Sequence, residues 1–313
     1  MSVAPRAAGV RLPWRHVPAR VHDWVCEQLG APVTDAVDQV GGMSPGCATR
    51  VATREGRRAF VKAVGPELNP LTPDLFRHEA RVLDHLGDDP LWAGSEAVLD
   101  EPGGWVALLL EDVAGVHPDP DDPEQRDLVL AATDRLAARL AGRAGSLDIT
   151  EAAEGLRRWG SAWDRLDEVP RDLLPRRVRD QSSALRACYD RVVEAAAGGS
   201  VVHHDIRNDN LLVRPDGEVV FVDWGMSRRG PAWLDPLVAR LEWVDRTDFD
   251  VLVHRSPALR ELGDDLVTAF LAGFGAWLAL RSLDPPAQGL PTINAFRRRE
   301  SSRALAGVAR RLG

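Results

Sequence analysis

The 313-residue chain is 44% hydrophobic and 27% charged, with a formal net charge of −8. Those are the proportions of an ordinary globular fold, and the sign argues against a general nucleic-acid partner and leaves room for cationic small molecules. Its three cysteines, Cys26, Cys47 and Cys188, lie far apart with no CxxC pair, so neither a disulfide framework nor a zinc site is indicated and a reducing cytoplasm is the expected compartment.

The N-terminal stretch has no apolar core of the secretory kind, because Pro5, Arg6, Arg11, Pro13 and Arg15 interrupt every candidate run. From Ala36 to about Gly115, short runs of β type alternate with turn residues: AVDQVGG, CATRVATREG, RRAFVKAV, EAVLD and GWVALLLED. One helix is predicted among them, in LTPDLFRHEARVLDHLG. Thr72 suits its N-cap, Pro73 its first turn and Gly87 its C-terminal cap. Beyond Gly115 helical spacing dominates, in PEQRDLVLAATDRLAARLAG, in RRVRDQSSALRACYDRVVEAAAGG, and after Pro257 and Pro291. A short strand pair is predicted around Leu211 to Val222, with Asp216-Gly217 at its turn. The longest uncharged apolar run, Leu266 to Leu280, falls short of the ~20 residues a membrane span needs and reads as a buried core helix. The expected organisation is a β-rich unit over 1–115, a connector at 111–115 and a helical unit over 116–313.

RRAFVKAV contains the only lysine of the chain, although lysine and arginine together number 39. The scarcity of lysine fits GC-biased codon usage, so the survivor needs its own reason. On a strand, Lys62 shares a face with Phe60 and Val64, and an ammonium on an apolar face needs an anionic partner. Glu79 is the candidate, between Phe76 and Leu83 on the apolar side of the predicted helix. A plain internal ion pair would account for these two residues alone.

A second constellation weighs against so plain a reading. In VVHHDIRNDNLLVRPDGEVVFVDWG, a strand-like run delivers His203, Asp205 and Asn210, and a hairpin returns to Asp223. Asp205 can accept a proton from an attacking hydroxyl. Asn210 and Asp223 offer hard oxygens of the kind magnesium accepts alongside substrate phosphates. His203 reads as a packing residue, and Asn208 and Asp209 as turn chemistry.

With these residues in order, the chain resembles the aminoglycoside phosphotransferase family, from about Asp38 onward. The resemblance implies an α+β, bilobal protein-kinase-like fold with ATP and magnesium as cofactors. Residue by residue, it implies that GGMSPGCAT covers the phosphates through Gly42 and Ser44, that Lys62 contacts them, and that Glu79 orients Lys62. The backbone of Glu111 and Val113 in LLLEDVAG would hold the adenine. Asp205 would be the catalytic base, Arg207 a cation near the transferred group, Asn210 and Asp223 the metal ligands, and Asp235 a structural aspartate. One departure stands out: the family usually has glycine between the motif's His and Asp, where this chain has His204.

The span from Asp223 to Asp235 is too short for a peptide-binding activation segment, so the expected acceptor is a small hydroxylated molecule, with no nucleic-acid or membrane partner. An aminoglycoside or other antibiotic is the first class, and a metabolic amino alcohol or sugar the second. A nucleotide-binding pseudokinase that regulates a partner is a further alternative. Asp119, Asp121, Asp122, Asp245, Asp248 and Asp250 are candidates for lining a cationic acceptor's cleft, and Trp233, Trp243 and Trp277 for stacking on it.

Overall fold

Chain order begins with a helix that the β-type reading passes over. The computed structural model describes residues 9–285 and 290–313; Pro5 and Arg6 of the N-terminal reading lie outside the described residues. Helix α1 (Ala19–Leu29) buries Val21, Val25 and Leu29, one face at a spacing of four, and ends at Gly30 with φ 71°. That spacing and the terminal glycine were present in the sequence as a helix signal.

Strands β1 (Val33–Asp38), β2 (Cys47–Thr53) and β3 (Arg58–Val64), helix α2 (Thr72–Leu86), and strands β4 (Ser95–Asp100) and β5 (Val106–Leu110) follow. The strands form one antiparallel sheet in the order β1-β2-β3-β5-β4. Val21 and Val25 of α1 pack with Val61, Ala63 and Leu109 from one face of the sheet. Helix α2 covers the other, where Lys62 stands opposite Ala48 and Leu108. Cover on both faces is why β5 is an unbroken apolar run rather than an alternating one. The α2 N-terminus differs from expectation in its cap. Thr72 is buried inside the first turn, and the Asn69 side chain accepts from the Leu71 and Thr72 amides at 2.9 and 3.2 Å. Gly87 closes the helix at φ 67° as expected.

The remaining elements are α3 (Pro123–Leu140), α4 (Ala152–Gly160), α5 (Arg176–Asp180), α6 (Ser182–Ala195), β6 (Ser200–Val202), β7 (Leu211–Val213), β8 (Val219–Phe221), β9 (Arg228–Gly230), α7 (Leu234–Arg240), α8 (Phe249–Arg255), α9 (Pro257–Leu262), α10 (Asp264–Arg281) and α11 (Ile293–Arg311). The single helix expected over 176–199 is broken at Gln181, whose φ is −107°. Helix α10 contains the apolar run and is buried on nearly all sides, between α6 and α11. Among the described residues no helix is long and apolar enough to cross a membrane.

The fold is α+β and separates into two compact units. One comprises residues up to Asp119 together with Asn208–Ser227; the other comprises Pro120–Arg207 and Arg228–Gly313. The sequence reading assigned 208–227 to the helical part. Hydrogen bonds explain its place with the sheet: Phe221 donates to Leu91 O at 2.8 Å, and Val116 and Val213 exchange bonds of 3.0 and 2.8 Å. In the second unit, β6 pairs with β9, and α4, α6, α7, α10 and α11 enclose one large apolar core.

Candidate active site

Lys62 is 7% exposed and Glu79 1%, and the two form an ion pair through Glu79 Oε2. Lys62 Nζ also lies 2.9 Å from Asp223 Oδ1. The other Glu79 oxygen accepts from the Trp224 amide at 3.2 Å, so one buried carboxylate fixes both the lysine and the turn that follows Asp223. Burial opposes the charge on Lys62, but Asp223 and Glu79 outweigh it and hold its pKa above the ordinary lysine value. Burial raises the Glu79 carboxyl, against the pull of Lys62. The Lys62 ammonium also stands 4.9 Å from the centre of the Phe76 ring.

Asp223 has φ 67° and ψ 71°, a left-handed conformation that Asp tolerates better than most residues. It points its carboxylate back to Lys62 at the end of β8. Asn210 is buried, and its carbonyl accepts from the Val222 amide at 3.0 Å, tying the two candidate ligands to one hairpin.

These residues line a cavity of about 210 Å³ inside the first unit, together with Gly42, Glu111, Val113 and Asn208. Gly41 and Gly42 adopt φ of 98° and 75°, which only glycine enters without strain. Ser44 lies in the same loop, where its Oγ accepts from the Gly46 amide at 3.2 Å, but it is outside the cavity lining. At the connector, the Glu111 amide donates to Gly94 O at 2.9 Å and its carboxylate pairs with Arg214 at 2.5 Å. The Val113 amide donates to Glu111 O at 3.1 Å, so the two backbone groups expected to meet a purine are bonded to each other. Two arginines are among the cavity residues that the sequence does not mark as part of the site. Arg50 donates to Val113 O at 3.3 Å, and Arg11 reaches in from the N-terminal segment.

Asn210 and Asp223 provide one amide oxygen and one carboxylate. That is a fit for a magnesium ion that completes its shell with water and phosphate oxygens. Asp223 already accepts a cation, the Lys62 ammonium. Among the described residues no cluster of three or more His, Cys, Asp or Glu could hold a metal alone.

Asp205 and Arg207 belong to the second unit, with Asp205 Oδ1 3.5 Å from Arg207 Nε. The turn before them is built on Asp235. Its buried carboxylate accepts from the His203 and His204 amides at 2.7 and 2.9 Å, and burial raises its pKa. His204 has φ 66°, which explains why glycine commonly stands there: the turn needs a positive φ, and histidine adopts it at a cost of ~1–3 kcal/mol. The His204 imidazole lies 6.2 Å from the Trp159 ring, which stacks on Trp277 at 5.3 Å and packs against Phe274.

Asp121, Asp122, Asp245, Asp248 and Asp250, five of the six acidic residues proposed for a cationic cleft, have other tasks. Asp121 pairs with Arg246, Asp245 with Arg303, Asp248 with Arg126 and Asp250 with Arg311, while Asp122 caps α3. Trp233 and Trp243 are core residues whose indole N–H groups donate to the Ala195 and Pro120 carbonyls. Trp277 is half-buried.

A buried strand lysine held by a helix glutamate and a hairpin aspartate, beneath a glycine loop, defines a protein-kinase-like fold. The chain belongs to the phosphotransferase enzyme family, whose match spans residues 48–283. Its fold is similar to that of a thermostable mutant of aminoglycoside phosphotransferase APH(4)-Ia solved with ADP and hygromycin B, at 12% identity and a TM-score of 0.59, covering 93% of this chain and 97% of that one. It is similar also to choline kinase LicA from Streptococcus pneumoniae, at 15% identity and a TM-score of 0.62, covering 94% and 99%. A third is the amicoumacin kinase hAmiN in complex with AMP-PNP, Ca2+ and Ami, at 12% identity and a TM-score of 0.52, covering 92% and 94%. No curated protein matches the chain in sequence.

Proposed function

We propose that this protein is an ATP- and magnesium-dependent O-phosphotransferase acting on a hydroxyl of a small molecule, an aminoglycoside or other antibiotic being the first class of acceptor. The observation that carries the reading is Lys62 bridging Glu79 and Asp223 in a cavity shared with Asn210 and the glycine loop. Family membership and the nucleotide-bound structural relatives support it. In the proposed reaction Asp205 takes the proton of the acceptor hydroxyl as its oxygen bonds to the terminal phosphorus. The bond from that phosphorus to its bridging oxygen breaks, and ADP leaves. Lys62 orients the polyphosphate, and Arg207 offsets charge on the group in transfer. Asn210 and Asp223 would hold magnesium, which when bound neutralises phosphate charge. Because four of the six acidic residues are engaged with arginines, a polycation is not the sole acceptor to test, and the likeness to a choline kinase adds amino alcohols.

The test is ATP turnover against aminoglycosides, peptide antibiotics, nucleosides, sugars and amino alcohols. Asp205→Asn should keep ATP binding and lose roughly 10²–10⁴-fold in turnover of whichever acceptor is found. Near-normal turnover in that variant removes Asp205 from the mechanism. ATP binding with no transfer to any acceptor favours the pseudokinase alternative.

A further inference from the structure

The N-terminal segment runs alongside the glycine loop and is bonded to it at both ends, Gly9 N to Gly42 O at 2.9 Å and Leu12 N to Pro45 O at 3.0 Å. Between these bonds Arg11 turns its side chain into the cavity that Lys62, Asn210 and Asp223 line. Its Nε donates to Gly41 O. Gly42 makes the approach possible, because a Cβ at that position would collide with the guanidinium. The bulky cation and the missing side chain are therefore one arrangement. The Nη1 nitrogen is buried and has no hydrogen-bond partner among the described residues.

A guanidinium stays charged at any physiological pH, and an unmade hydrogen bond from a buried charged donor is costly. Asp223 and Asp209 attract Arg11 from a distance, yet burial outweighs them and lowers its pKa. The cavity lining thus includes a cation with an unused donor. Lys62, in contrast, is already shared by two carboxylates. What Arg11 lacks is an oxyanion, and the planar fork of arginine suits phosphate oxygens particularly well.

We propose that Arg11 is a second nucleotide-binding cation, supplied by the N-terminal segment, whose guanidinium grips the polyphosphate of a nucleotide seated under the glycine loop. The assignment rests on the nucleotide-binding reading above. It makes the segment part of the phosphate site and couples the loop's position to the charge of the nucleotide.

The experiment is calorimetric titration of the full chain with ATP plus magnesium and with adenosine, for the unsubstituted protein, Arg11→Gln and Arg11→Lys. Arg11→Gln should weaken ATP by about ten-fold or more and leave adenosine nearly unchanged, with Arg11→Lys in between. Equal weakening of ATP and adenosine would make Arg11 a structural support of the loop, and tighter ATP binding would make it a plug; either overturns the proposal. A second measurement needs no variant. Phenylglyoxal modification of Arg11, followed by peptide mass mapping, should be slowed by ATP and not by adenosine, and equal slowing by both overturns the proposal as well. If the unsubstituted protein binds neither ligand, the nucleotide reading itself fails. If it binds both and only the Arg11 effects are missing, that reading stands and this one falls.

Discussion

Removing Lys62 alone would strand Glu79, a 1%-exposed carboxylate whose second oxygen is already engaged by the Trp224 amide. Lys62→Met should therefore cost about 3–5 kcal/mol, while Lys62→Met with Glu79→Leu should recover much of it, because an apolar pair can replace a buried ion pair at little net cost. Urea unfolding of the single and double variants checks this, and a double variant no more stable than the single one rejects it. His204 gives a different signature. Burial lowers its pKa to about 4, with Arg228 and His203 adding to the effect. The unfolded chain then takes a proton near pH 6.5 that the folded chain refuses until about pH 4, so stability falls as pH drops through that window. The loss is at most about 3 kcal/mol. His204→Gly removes the titrating group and suits the positive φ, so its unfolding free energy should fall less than that of the unsubstituted protein between pH 7 and pH 4.5. Equal losses would show that His204 is not the group responsible.

Among the elements, α10 shows how packing can reverse a propensity. Replacing a helical glycine by alanine ordinarily stabilises a helix by about 1 kcal/mol. At Gly273, however, a Cβ would enter the space of the Tyr189 ring from α6, and Tyr189 is 1% exposed with its hydroxyl donating to Leu156 O at 2.7 Å. The ring has no room to retreat, so overpacking should win and Gly273→Ala should destabilise by about 1–3 kcal/mol. A thermal melt decides the sign, and a stabilised variant would mean that the α6–α10 contact yields more easily than its geometry indicates. Gly275 plays the same part against Leu305 of α11, 2.7 Å from where its Cβ would stand. The hairpin of β7 and β8 is shaped by its partners too: six residues in two short strands acquire their place through bonds to Leu91 and Val116.

For the whole molecule, the single lysine is an experimental handle. An amine-reactive ATP analogue can modify only Lys62 and the α-amino group, so one peptide map reports where the nucleotide sits. ATP with magnesium should block labelling at Lys62 and leave the α-amino group unaffected. Equal labelling of Lys62 with and without ATP would contradict the proposed nucleotide site. The same binding should stabilise the folded chain by about 2.7 kcal/mol at a hundred times the dissociation constant.

The residues that a reader of the sequence could gather were those fixed by chemistry and spacing. Lys62 needed a buried anion, Glu79 lay on the apolar face of a helix that Pro73 and Gly87 delimited, and Asp223 followed an apolar run. The structure brings those three together. Periodicity also located four of the five strands of the sheet, the last three residues of β1 and the apolar α10, because alternation and uniform burial are written directly in the residues. Only the tertiary structure decided that Arg11 enters the cavity, since a polar residue before the first predicted strand has no periodicity to betray its partner. It likewise decided that residues 208–227 join the sheet's unit, that Asp121, Asp245, Asp248 and Asp250 are spent on arginines, and that position 204 has a positive φ. Each depends on contacts between segments distant in sequence, and such contacts are set by which surfaces meet after the local elements have formed.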